Sequence, residues 1–233
     1  MTRPLRAGLL FDLDGTLAQT EHIHQAAFNA LLAPSGRSLD DEAFVRHVSG
    51  RANDDIMAFL FPHAAAAERL RLAEAKEASF REIAASSGVA ATPGAAALLQ
   101  WARDRQVATG LVTNAPRANA EMMVAVLGLA DAFDVVVSAD ALARSKPHPD
   151  PYLAAIAMLG LSAAATVAIE DSLTGIAAAA AAAVGVVALA TAQTSAALRA
   201  SDATLVVDDL ADARLYDYLQ ERFALARQSN SGV

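Results

Sequence analysis

The sequence predicts an α/β fold, a doubly wound parallel sheet with a helical domain inserted after its first strand. Two patterns and one interruption lead there. Short apolar, β-branched-rich runs recur between longer helical patterns, the mark of parallel strands covered on both faces. The alternation fails once, after the first run, where a long stretch holds only helix-like segments. At 233 residues the chain can bury about 70–75% of the surface its unfolded form exposes, enough for a core without staples.

Taken in order, strands are expected at Ala7 to Phe11, Val107 to Val112, Asp134 to Val137, Thr166 to Ile169, Val184 to Leu189 and Thr204 to Val207. Between Ala18 and Ser87 no strand is expected, and breaks near Pro34–Gly36, Ser49–Gly50 and Phe61–Pro62 divide that stretch into helices. The alanine runs Ala64 to Ala67 and Ala177 to Ala183 read as helices, since alanine has the best helix propensity and no side-chain entropy to lose. The expected organisation is a core domain of residues 1–17 and 88–227, a helical domain of 18–87, and a polar, frayed tail of 228–233.

Composition narrows the function. With 26 Asp and Glu against 18 Lys and Arg, net charge −8, and no basic cluster along the chain, nucleic-acid binding is not expected. The absence of cysteine excludes disulfides, thiolate catalysis and cysteine-based zinc or iron–sulfur sites. Met1 to Leu17 fits neither a secretory signal nor a continuous apolar span, so a cytoplasmic protein with no membrane partner is expected.

The chemistry sits at strand ends. The first strand closes on Phe11-Asp12-Leu13-Asp14-Gly15-Thr16, two carboxylates two residues apart at the sheet edge where ligands bind. Such crowding calls for a cation between them or a proton on one. Asp12 can serve as a Mg²⁺ ligand and nucleophile and Asp14 as a general acid/base, although an acidic turn after a strand gives the same pattern. The second strand ends at Thr113-Asn114, with a hydroxyl, an amide and backbone N–H groups for phosphate oxygens. The fourth ends at Glu170-Asp171-Ser172, which offers further oxygen ligands or, equally, a helix N-cap cluster. Between them, Ser145-Lys146-Pro147 carries a lysine able to neutralise crowded carboxylates and a transferring phosphoryl oxygen.

In this order, Asp12-Leu13-Asp14-Gly15-Thr16, Thr113-Asn114, Lys146-Pro147 and Glu170-Asp171 resemble the four motifs of the haloacid dehalogenase superfamily of phosphohydrolases, over residues 7 to 210. The resemblance implies a Rossmann-like core in which Asp12 attacks phosphorus to form an aspartyl-phosphate. Asp14 would protonate the leaving alcohol and then activate water. Mg²⁺ would be held by Asp12, the backbone carbonyl of Asp14 and Asp171, with Glu170 in support. Thr113 and Lys146 would bind the phosphoryl group, with Thr16 and Asn114 beside the substrate.

An insertion between the first two motifs resembles the subclass with a small helical cap, which includes phosphoglycolate and sugar-phosphate phosphatases, β-phosphoglucomutase and haloacid dehalogenases. Asp14 argues against a dehalogenase, which needs no acid for a halide. Thr20-Glu21-His22-Ile23-His24 resembles the mutase, where a histidine at the position of His24 links cap closure to the acid/base aspartate; a hinge histidine without a chemical role is the alternative. After the second motif, Ala115-Pro116-Arg117 leaves only Arg117 to hold a second phosphate, which favours a monophosphate phosphatase. In the insertion, Arg51 is a candidate substrate contact, whereas Lys76, within Glu74-Ala75-Lys76-Glu77, reads as part of a charged helix face. Ala183 stands where relatives commonly have glycine. The expectation is a Mg²⁺-dependent phosphatase acting on a small phosphorylated metabolite, as a monomer or else a dimer. A phosphosugar mutase and a non-enzymatic binding module are the alternatives.

Overall fold

The computed structural model describes residues 7–228. The chain enters as β1 (Gly8–Phe11) and turns into β2 (Ala18–Gln19), followed by α1 (Glu21–Leu32), α2 (Asp41–His47), α3 (Asn53–Leu60) and α4 (Ala66–Ser87). It returns through β3 (Ala90–Ala91) to α5 (Ala95–Asp104), β4 (Ala108–Val112), α6 (Arg117–Val126), β5 (Val135–Val137) and α7 (Asp150–Leu159). The remainder is β6 (Thr166–Glu170), α8 (Leu173–Ala181), β7 (Gly185–Leu189), α9 (Ser195–Arg199), β8 (Leu205–Val207) and α10 (Ala213–Gln228). Gln228, expected in the tail, ends α10; the rest of that tail and residues 1–6 lie outside the described residues.

All six expected strands form, in one parallel sheet of order β5-β4-β1-β6-β7-β8. Their apolar runs are continuous because both faces are covered. Leu9 and Phe11 of β1 and Val167 and Ile169 of β6 pack on one side with α5, α6 and α10. Leu10 and Ala168 face the other side, against Tyr152, Ile156 and the alanines of α8. Chain order reverses about β1: β4 and β5 lie to one side, β6 to β8 to the other. That reversal opens a crevice at the carboxyl ends of β4, β1 and β6.

Helices α1 to α4 carry a third hydrophobic cluster of their own, centred on Phe28, Leu32, Phe44, Ile56, Met57 and Leu60. The expectation of no strand past Ala18 is corrected. Ala18–Gln19 pairs antiparallel with Ala90–Ala91, so the two chain passes joining this helical stretch to the sheet are hydrogen-bonded to each other. Two-residue strands of alanine and glutamine show no apolar alternation, so no sequence pattern announces them.

The run Ala177 to Ala183 also contains no stop signal, yet α8 ends at Ala181. Ala183, exposed, takes the left-handed conformation at φ 58° before β7, where a Cβ is strained and glycine is not. Ala183→Gly is therefore expected to stabilise the fold by about 0.5–1 kcal/mol, the strain relieved exceeding the added unfolded-state entropy. For a chain of this size that is a rise in Tm of about 1–3 °C, read by thermal unfolding.

Candidate active site

Asp12 directly follows β1, and its backbone N–H continues the ladder to the Ile169 carbonyl at 3.0 Å. Gly15 then turns the chain at φ 78°, and a Cβ there would overlap the Asp171 carboxylate, so both the turn and the closeness of the two loops require glycine. Glu170, the last residue of β6, is wholly buried, and Gly175 lets α8 pass over its carboxylate where any Cβ would collide. Ser172 does cap α8, its Oγ accepting from the Gly175 N–H at 3.0 Å, so the N-cap reading of this cluster holds beside the ligand one.

Lys146 binds these ends together. Its buried ammonium donates to Asp12 Oδ1 at 2.7 Å, to Glu170 Oε1 at 2.5 Å and to the Val112 carbonyl at 2.7 Å. An ammonium has three donors and no acceptor, so Lys146 is fully used. Asn114 fixes the lysine's backbone, accepting from its N–H at 3.0 Å and donating to its carbonyl at 3.1 Å. Tyr152, fully buried on α7, donates its hydroxyl to Glu170 Oε1.

One ammonium faces three carboxylates. Oxygens of Asp12, Glu170 and Asp171 lie within 4.8 Å of one another. Burial, only partly offset by Lys146 and reinforced by Glu170, pushes Asp12 up to about 7. Burial and the charges of Asp12 and Glu170 push Asp171 well above the usual carboxylate range. Among the described residues, Asp171 receives only the Thr16 hydroxyl, at 3.3 Å. An all-oxygen set with this surplus of negative charge suits a hard divalent cation.

Asp14 lies in a different setting. Its Oδ1 accepts from the Thr20 hydroxyl at 2.6 Å and sits 3.2 Å from His24 Nε2. Burial would raise Asp14, but His24, Thr20 and the more distant Lys76 outweigh it and hold the carboxyl below its ordinary value. His24 Nδ1 is 2.9 Å from Lys76 Nζ; because an ammonium only donates, Nδ1 is the acceptor and Nε2 carries the proton aimed at Asp14. The imidazole is stacked on Phe80 with centroids 4.2 Å apart.

A cavity of about 100 Å³ joins the two groups, walled on one side by Asp12, Asp14, Thr113, Asn114, Lys146 and Asp171 and on the other by residues of the helical stretch. His24 and Arg51 line it. Thr16 does not; fully buried, it orients Asp171 instead of meeting a ligand. Arg117 does not either: it is exposed on α6 and pairs with Glu121 at 2.7 Å. The charged-face reading of Lys76 is corrected, because Lys76 is buried, lines the cavity, pairs with Glu77 at 2.9 Å and lies over the Phe28 ring at 4.6 Å. Glu77 and Tyr152 belong to none of the four motifs, and only tertiary packing brings them here, whereas Thr20 opens the segment that carries His24.

No described helix is long and apolar enough to cross a membrane. Protein CbbY of Rhodobacter capsulatus is 36% identical over 183 residues, covering 73% of this chain and 79% of its own. Validoxylamine A 7'-phosphate phosphatase of Streptomyces hygroscopicus subsp. limoneus is 32% identical, covering 88% and 94%. The crystal structure of CbbY from Rhodobacter sphaeroides in complex with phosphate superposes with a TM-score of 0.81 at 28% identity, covering 89% of this chain and 96% of that one. The family model for haloacid dehalogenase-like hydrolases matches residues 7–183, and with the strand-end carboxylates and lysine described above, the chain belongs to the haloacid dehalogenase-like hydrolase family.

Proposed function

We propose that the chain is a Mg²⁺-dependent phosphatase of small phosphate monoesters, phosphoglycolate or a sugar phosphate, working through an aspartyl-phosphate on Asp12. The observation that carries this reading is the pairing of two unlike carboxylates at one cavity: Asp12 held by Lys146, and Asp14 held by His24 and Thr20. Carboxylates whose surroundings push them apart divide nucleophilic and acid/base work between them.

In this reading an Asp12 oxygen attacks phosphorus while Thr113 holds the phosphoryl oxygens and Lys146 gives up its bond to Asp12 to meet one of them. The ester bond breaks, and the leaving alkoxide takes a proton from Asp14. Water then attacks the phosphoenzyme and gives its proton to Asp14, freeing phosphate and restoring the Asp12 carboxylate. The downward shift keeps Asp14 deprotonated and open to the water proton, and a phosphate dianion beside it favours the protonated form needed for the first step. Asp12, Asp171 and the Asp14 backbone carbonyl would hold Mg²⁺, with Glu170 in support, and the ion would supply the positive charge that an in-line transfer between anions needs.

Residues 18–87 would act as a cap domain, excluding water and sorting substrates through Arg51 and Lys76. A monomer, or else a dimer, is part of the proposal. A cytoplasmic location remains part of the proposal. The mutase reading is weaker, because Arg117, its candidate for a second phosphate, points away from the cavity.

The decisive assay measures phosphate release from phosphoglycolate, hexose and pentose phosphates and β-glucose 1-phosphate, with Mg²⁺ and then with EDTA. Release that EDTA abolishes is the expected result; conversion of β-glucose 1-phosphate to glucose 6-phosphate without free phosphate would replace it with the mutase. Asp12→Asn is expected to lower turnover by more than about a hundredfold with thermal unfolding little changed, a loss at least as large as that of an acid/base group. Mg²⁺ affinity should depend on pH with a fixed sign. Asp12, pushed up to about 7, and Asp171, also held up, must both lose their protons to bind, so affinity rises with pH, by up to about tenfold per unit for each proton displaced. Calorimetric Mg²⁺ titrations at several pH values check this; a flat profile would remove both carboxylates from the ligand set.

A further inference from the structure

One buried polar group near the cavity takes no part in the chemistry above. Asn119 lies on α6, 1% exposed, in the helix that follows the Thr113-Asn114 strand end. Its Oδ1 accepts from Arg81 Nη1 at 2.7 Å and its Nδ2 donates to Glu77 Oε2. Both partners belong to α4, across the junction between the helical stretch and the core.

Glu77 and Arg81 are four residues apart on one helix, a spacing at which opposite charges pair directly. They do not do so here, because the Asn119 amide stands between them and takes one bond from each. Glu77 is thereby left facing inward. It accepts from Asn53 Nδ2 at 2.7 Å and from Lys76 Nζ at 2.9 Å. Lys76 reaches His24, and His24 reaches Asp14. Without the amide, Arg81 would draw the Glu77 carboxylate away from Lys76. The ammonium would then lose the anion that holds it beneath His24 Nδ1, and with it the fixed ring orientation.

We propose that Asn119 is a positioning residue for Asp14: it registers α4 on α6 and holds Glu77, Lys76 and His24 in line behind the acid/base carboxylate. This rests on the phosphatase reading, and its test separates the two. The leaving group decides the readout. Acetate departs from acetyl phosphate without a proton, whereas the alkoxide of an alkyl phosphate monoester needs one from Asp14. Asn119→Asp keeps the acceptor for Arg81 and replaces the donor to Glu77 with a like charge.

The measurement is kcat/KM of the Asn119→Asp variant for acetyl phosphate and for the best alkyl monoester of the panel. The expected result is a loss of about tenfold or more for the alkyl substrate, the scale of a misplaced catalytic group, with acetyl phosphate within about twofold of wild type. Equal losses on both substrates would mean general loosening of the fold and overturn the proposal, as would an unchanged alkyl rate. If wild-type protein hydrolyses neither substrate, the phosphatase reading itself falls.

Discussion

The Lys146 ammonium, buried between Asp12 and Glu170, is the contact on which the rest of the site depends. Removing Lys146 itself would leave buried carboxylates uncompensated, at a cost of about 3–5 kcal/mol. Every neighbour is arranged to keep it in place. Asn114 pins its backbone from the end of β4, the Val112 carbonyl takes its third hydrogen, and Tyr152 supports Glu170 from α7. Three strand ends and one loop are thus tied through a single nitrogen. The tie is incomplete in charge, and this makes the site receptive. One cation among three carboxylates leaves Asp12 and Asp171 with raised pKa values, a strain that a divalent ion relieves.

The second half of the site comes from the inserted helices and follows a different logic. One hydrophobic cluster is theirs alone, while Ile23 and Ala27 of α1 and Phe80 and Ala84 of α4 join the cluster on one face of the sheet. Polar contacts at the junction add to this apolar seam: the β2–β3 pair and the Glu77–Asn119–Arg81 bridge between α4 and α6. Hydrogen bonds are directional where apolar contact is not, so a few of them set the register of a surface that also walls the cavity. The Lys76 side chain shows the result. Its charge is balanced by Glu77 and its ammonium lies over the Phe28 and Phe80 rings, so it can lie buried beside the cavity.

What the sequence made legible follows from distance along the chain. Asp12, Asp14, Thr113, Glu170 and Asp171 adjoin apolar runs, so recognising the strands located the residues. The same holds for Lys146, marked by its proline-rich loop. Lys76 was misread because Glu74, Lys76 and Glu77 together look like a solvated face, and nothing local shows that α4 turns part of it inward. Thr16 shares the first motif with Asp12 and Asp14, yet the Gly15 turn directs its hydroxyl to Asp171. Arg117 follows the second motif closely, but α6 begins at that residue and points the side chain to solvent, towards Glu121 one turn on. Tyr152 and Asn119 look like ordinary helix residues, and their partners lie 18 and 42 positions away.

These charges also constrain the order of dependence within the site. A phosphate dianion approaching Asp12, Glu170 and Asp171 with Lys146 alone in opposition meets net repulsion. The same group approaching after a divalent ion has joined the carboxylates meets attraction. Cation and phosphate must therefore raise each other's affinity by equal factors, because linkage between two sites is reciprocal. The Asp14 carboxylate takes its hydrogen-bond support from elsewhere, from His24 and Thr20 and not Lys146. In the proposed reaction the nucleophile answers to the core and the acid/base group to the inserted helices, so a substrate would be processed only where the two halves meet around it.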